Sequence, residues 1–80
     1  MTSKCEKFYD KLQTLIDEML EYVDKLEEKQ MAIVDRADEH GREMTEREQE
    51  RYDEIEEEMD NVRECIERIE YAQDSIESYI

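Results

Sequence analysis

The chain has no proline and a single glycine, so nothing in its 80 residues forces a helix to stop except near Gly41. It has no apolar run approaching a membrane span. Met1-Thr2-Ser3-Lys4 leads into charge rather than the apolar stretch of a signal peptide, so a cytoplasmic chain with reduced thiols is expected. The one histidine, His40, follows Ala37 at the position where a dinuclear bundle site needs a Glu-x-x-His pair. The Asp53–Asp60 segment lacks the glycine and spacing of a calcium loop. No Gly-rich phosphate loop, HExxH or Ser/His/Asp arrangement is present. These absences argue against an enzyme, a metal site and any cofactor.

What the chain has is charge and period. Charged residues make up 46% and apolar ones 38%, and the formal net charge is −15. Mean hydropathy is −1.09, a value that alone would suit disorder. Strict heptad patterning points instead to a single all-α coiled-coil domain over 1–80. Residues 1–40 carry six Lys/Arg against eleven Asp/Glu, and residues 41–80 carry five against fifteen. The natural partner of such a chain is a basic protein surface; nucleic acid and anionic membrane should repel it.

Gly41 suits the left-handed position that closes a helix, and Thr45-Glu46-Arg47-Glu48 reads as a capping box opening the next. The pattern therefore predicts a helix over 3–40, a turn over 41–44 and a helix over 45–80, with His40 at the first helix's C-cap. In the first helix, Cys5, Phe8, Leu12, Leu15, Met19, Tyr22, Leu26 and Ile33 alternate in steps of three and four, the a and d positions of a heptad. Tyr9, Ile16, Val23 and Ala37 add a row at e, and Lys29 with Gln30 marks a polar layer. Asp35, Asp38 and Glu39 stand against the helix dipole at its C-terminal end. In the second helix, Tyr52, Ile55, Met59, Val62, Ile66, Ile69, Ile76 and Ile80 form the stripe, Gln73 interrupts it, and Cys65, Ala72 and Tyr79 flank it.

Folding the chain at Gly41 pairs these rows. The a positions meet as Cys5 with Ile80, Leu12 with Gln73, Met19 with Ile66, Leu26 with Met59 and Ile33 with Tyr52. The d positions meet as Phe8 with Ile76, Leu15 with Ile69, Tyr22 with Val62, Lys29 with Ile55 and Arg36 with Glu48. The register thus centres on the residue that turns the chain, giving an antiparallel two-helix hairpin about 50 Å long. Both stripes are wider than two helices need, so the extra rows are expected to be covered either by a homodimer forming a four-helix bundle or by docking on a partner. Cys5 and Cys65 lie too far apart in this register to bridge, and both read as buried small hydrophobes.

From Ala32 onward the chain also carries a recognisable run. It comprises Ala32-Ile33-Val34-Asp35-Arg36-Ala37, Gly41-Arg42-Glu43-Met44-Thr45, Glu48, Tyr52-Asp53, Ile55, Glu58-Met59, Val62, Ile66-Glu67-Arg68 and Glu70. Over roughly residues 32–70 this resembles the delta (scaffolding) domain at the N-terminus of tailed-phage major capsid proteins. The resemblance implies a helical hairpin, a phage or prophage setting and the cytoplasm of an infected or lysogenic bacterium. It also implies a role in shell assembly, with the departure that the hairpin is expected to act as a free-standing copy rather than as part of a capsid protein.

Nine acids and two arginines lie between Glu46 and Asp60, one carboxylate per about 2.5 Å of helix axis. Duplex DNA carries one phosphate per about 1.7 Å, or about 3.4 Å on one strand. The run is therefore dense enough to imitate a phosphate backbone, or it is a solvated face laced by pairs such as Glu43–Arg47 and Glu64–Arg68. Leu20, Met31, Val34 and Tyr71 fall away from the seam. The expected function is non-enzymatic occupation of a basic, nucleic-acid-binding surface of a host protein, as in anti-CRISPR or anti-restriction inhibitors. Glu46, Glu50, Asp53, Glu54, Glu57, Glu58 and Asp60 would supply charge, and Met31, Val34 and Tyr71 an apolar grip. The alternatives are a capsid-assembly scaffold and an acidic antitoxin-like adaptor.

Overall fold

Two long helices run antiparallel along one another in a computed structural model that describes residues 3–80. Helix α1 spans Lys4–Glu39 and α2 spans Glu46–Glu77, in a rod of 61 × 17 × 12 Å. Ser3 opens α1 by accepting the Glu6 amide through its hydroxyl at 3.1 Å. At the other end His40 is the C-cap and Gly41 takes φ +62°. The Gly41 amide donates to Asp38 O at 3.0 Å and the Arg42 amide to Ala37 O at 3.1 Å, the two bonds of a Schellman closure. Thr45 and Glu48 then satisfy each other's amides reciprocally, so α2 starts on a complete capping box. Helix α2 ends at Glu77 rather than continuing to residue 80. No glycine or basic side chain supports its last turn, and the Ser78 hydroxyl donates to Ser75 O at 2.7 Å. Ile80 is exposed and takes no place in the seam.

The rows that meet differ in α1 from the expected a/d pair. The buried and half-buried residues of α1 run Cys5, Tyr9, Leu12, Ile16, Met19, Val23, Leu26, Gln30, Ile33 and Ala37, with Glu6 half-buried in the first turn. Phe8, Leu15, Tyr22, Lys29 and Arg36 are exposed; Leu15 is 39% accessible while its neighbour Ile16 is 5%. The a row keeps its place and the e row replaces d, so the helix is turned about its axis by about 50°, half a residue step, from the expected packing. Charge explains the choice. The row that lost would have carried Lys29 and Arg36 into the seam, where an unpaired cation is costly; the row that won carries Gln30 and Ala37. In α2 the expected stripe is the observed one from Tyr52 to Ile76.

Val23, Leu26, Ile55 and Met59 form the centre of the core, with Ile33 and Val62 packed against them. Two glutamines interrupt the seam in matching ways. The Gln30 amide donates to Tyr52 O at 3.2 Å and Glu56 Oε2 at 2.8 Å. The Gln73 amide donates to Tyr9 O at 3.4 Å and Gln13 Oε1 at 3.1 Å. Each is a buried amide reaching a carbonyl of the opposite helix and a side chain one turn further on. No buried side-chain polar atom among the described residues lacks a partner.

Candidate functional site

A seam two rows wide leaves each helix two flanks, and the contacts across the hairpin say which flanks share a side. Arg63 reaches Glu27 at 3.1 Å, Gln30 reaches Glu56, and Gln73 reaches Gln13. Those residues lie on one side. A groove lined by Tyr22, Lys29, Arg51, Glu54 and Glu58 above Leu26 and Ile55 lies on the other. Residues seven apart remain on the same side, because the buried pattern keeps a strict heptad from Tyr9 to Ala37 and from Tyr52 to Ile76.

On the first side, α1 presents Glu6, Asp10, Asp17, Asp24, Glu27 and Asp38, and α2 presents Glu46, Asp53, Glu56, Asp60, Glu67, Glu70, Asp74 and Glu77. Against these fourteen carboxylates stands one cation, Arg63, already paired with Glu27 and 3.7 Å from Asp60. The net charge of this side is −13. The outer rows repeat every seven residues, about 10.5 Å along each helix. Asp38, at odds with the dipole of α1, is a member of this row. Among the carboxylates lie exposed Leu20, Met31 and Val34. Met31 and Val34 border a groove of about 310 Å³ with Glu27, Gln30, Asp35 and Tyr52.

The second side inverts the balance. It carries Lys4, Lys11, Lys25, Lys29, Arg36, Arg47, Arg51 and Arg68 against Glu18, Glu39, Glu54 and Glu58, a net of +4. Toward the loop, Arg36, Arg47 and Arg51 line a groove of about 420 Å³ together with Ala32, Ile33, Thr45 and Glu48. Toward the termini, exposed Phe8, Leu15 and Tyr22 line up on α1, and Cys65 and Ala72 on α2, with Tyr79 just beyond the helix end. Lys11 Nζ sits 5.9 Å from the centre of the Phe8 ring.

This geometry redistributes the expected binding set. Of the nine acids between Glu46 and Asp60, Glu46, Asp53, Glu56 and Asp60 share the acidic side, together with Met31 and Val34. Glu54 and Glu58 belong to the cationic side, and Glu50, Glu57 and Tyr71 to the back of α2. Glu48 belongs to the turn, where Arg42 Nη1 donates to it at 2.6 Å and the Thr45 amide at 2.9 Å. Those bonds, the Arg42 one foremost, hold its pKa down to about 2 and raise that of Arg42. A dense run on one helix therefore points in several directions. The acids of α1 that complete the face, Asp10, Asp17 and Asp24, were legible as an i, i+7 series once the α1 seam was placed correctly. The Glu64–Arg68 pair forms at 2.8 Å, whereas Arg47 has no carboxylate partner among the described residues.

Cys65 is exposed rather than buried, because it lies on the flanking row; Cys5 is half-buried, and both are free thiols. No group of three or more His, Cys, Asp or Glu side chains among the described residues is placed to hold a metal ion. No described helix is long and apolar enough to cross a membrane. Compared with protein-family models, curated proteins and solved structures, the chain has no match.

Proposed function

We propose that the hairpin is a non-enzymatic binding protein whose acidic side occupies a basic, nucleic-acid-binding surface of another protein, in the manner of a phosphate-backbone mimic. The observation that carries this reading is the segregation of fourteen carboxylates onto one side with a single, already paired arginine. Along 61 Å of rod that is one carboxylate per about 4 Å, near the 3.4 Å phosphate interval of a single strand. Arg/Lys clusters that track phosphates would meet a rigid array of acceptors here, with Met31 and Val34 as apolar contacts beside it. The phage setting and a host nucleic-acid-handling target belong to the same proposal.

The test is affinity capture from bacterial lysate on the full chain, followed by competition with duplex DNA. A captured nucleic-acid-binding protein should be displaced by DNA and by raised salt. It should be lost when Asp53, Asp60 and Glu67 are changed together to Lys. Capture that survives both treatments would refute the mimic. A second reading, an assembly scaffold of the delta-domain kind, is favoured by one observation: the exposed row Phe8, Leu15 and Tyr22 beside Ala72 and Tyr79. A scaffold would use that side, and the triple reversal would leave its assembly intact.

A further inference from the structure

Six of the eight cations on the cationic side, Lys4, Lys11, Lys25, Lys29, Arg36 and Arg47, have no carboxylate partner among the described residues. That is unexpected in a chain with 26 acids to 11 bases, where a cation placed among acids would find one readily. Heptad geometry has gathered them around an exposed aromatic and aliphatic strip. Such a surface fits an occupant that is acidic, elongated, and carries a few apolar side chains of its own. The opposite side of the same chain has those properties: a net of −13, charges repeating at the same seven-residue interval, and Leu20, Met31 and Val34 among them.

We infer that copies of this hairpin stack face to back, the acidic side of one seated on the cationic, aromatic side of the next. Pairing two like sides would oppose +4 to +4 or −13 to −13, so the face-to-back arrangement is the one that charge selects. It is a heterologous contact and does not close on itself, so it gives short open stacks rather than a sealed four-helix dimer. The net charge of −15 per copy sets the conditions. The rod is 12 Å across its thinnest dimension. At about 0.01 M salt the screening length is near 30 Å and each copy feels the whole of its neighbour's charge; at about 0.15 M it is near 8 Å and only the apposed sides interact. Association therefore peaks at intermediate salt and falls again toward 1 M. The inference does not depend on the target proposed above, although stacking covers the acidic side and competes with that target.

Sedimentation equilibrium over 1–200 µM and 0.01–1 M NaCl (about these ranges) tests it. The expected result is a mass that climbs past the dimer with concentration, most steeply near physiological salt. Two charge-neutralising variants sharpen it: Lys25→Gln with Lys29→Gln and Arg51→Gln on one side, and Asp17→Asn with Asp24→Asn and Asp53→Asn on the other. Each variant alone should self-associate at least about tenfold more weakly, while an equimolar mixture recovers a discrete 1:1 complex through the two unaltered sides. Helicity by circular dichroism confirms that both variants fold. A wild-type chain monomeric throughout, or a closed dimer indifferent to salt, would overturn the inference. So would a monomer that instead sediments with phosphatidylserine vesicles, since the cationic side would then be a membrane surface.

Discussion

The two sides of this hairpin share one seam, one heptad and one backbone, yet differ by seventeen units of formal charge. The chain halves before and after Gly41 differ by only five, −5 against −10. Charge is therefore partitioned across the rod and hardly along it. Composition describes the molecule as uniformly acidic, but a partner meets either a sheet of carboxylates or a cationic surface with aromatic rings. What keeps the two apart is the rotation of α1, and the rotation rests on the seam. Any change that releases the seam should erase the distinction, while changes on either flank should leave the fold alone and alter only what binds.

The largest effect is expected at Met59, 2% exposed and packed among Val23, Leu26 and Ile55. Met59→Ala should cost about 2–5 kcal/mol, enough to unfold much of a two-helix domain at room temperature. Leu15→Ala on the cationic flank and Leu20→Ala on the acidic flank should each stay within about 0.5 kcal/mol. Urea unfolding followed by circular dichroism ranks the three. A Leu15→Ala cost equal to that of Met59→Ala would mean that α1 buries the other row.

A smaller loss is expected at Gln73, whose amide ties Tyr9 O to Gln13 across the seam. Gln73→Ala should cost about 1–3 kcal/mol, through the space it leaves and the hydrogen bonds it removes. Gln73→Met should recover most of that stability while loosening the orientation of α1. The readout that separates the two is amide exchange in residues 9–16, which should quicken in Gln73→Met even where the unfolding midpoint is restored.

The parts of this fold legible in the sequence were those set by local chemistry. Gly41, Thr45 and Glu48 announced the turn because each answers a local backbone requirement, a positive φ or an orphan amide. The α2 stripe was legible because only two of its rows are consistently apolar. In α1 three rows compete, with Cys5 and Leu12 common to either pair, and residues such as Leu15 and Ile16 carry nearly equal apolar area. Hydrophobicity cannot choose between them; the cost of burying Lys29 and Arg36 can, and that cost exists only once α2 is in place. That turn of about half a residue step then hid the site. With α1 misplaced, Asp10, Asp17 and Asp24 do not join the α2 acids, and the densest run, Glu46–Asp60, stands out instead, although its carboxylates point in several directions.

The turn offers the next two steps down in effect. Gly41→Ala meets no atom within 4 Å, so its whole cost is the left-handed backbone at φ +62°, about 1–2 kcal/mol. Thr45→Ala removes the hydroxyl that accepts the Glu48 amide and should cost about 1 kcal/mol. Both should shift the unfolding midpoint without changing which side of the rod binds what, because neither touches the α1 rotation.

The smallest effect is one of pH, and it distinguishes the turn from the faces. The Glu48 pKa is held at about 2, below its ordinary 4.5, by Arg42 and by the Thr45 amide. A carboxyl depressed in the folded state stabilises that state fully above the ordinary value and loses the contribution as pH falls toward about 2. Acidification should therefore loosen the turn, while the apolar seam of Val23, Leu26, Ile55 and Met59, which carries no charge, keeps helicity along the rod. The Thr45 amide resonance reports the turn, and its shift should titrate near pH 2, with far-ultraviolet circular dichroism steady through that range. Glu48→Gln keeps an acceptor for Thr45 but has no charge to lose, so its Thr45 resonance should stay flat. If wild-type helicity falls together with that resonance, the capping pair is holding the rod as well as the turn, and the independence of seam and loop argued from α1 and α2 is wrong.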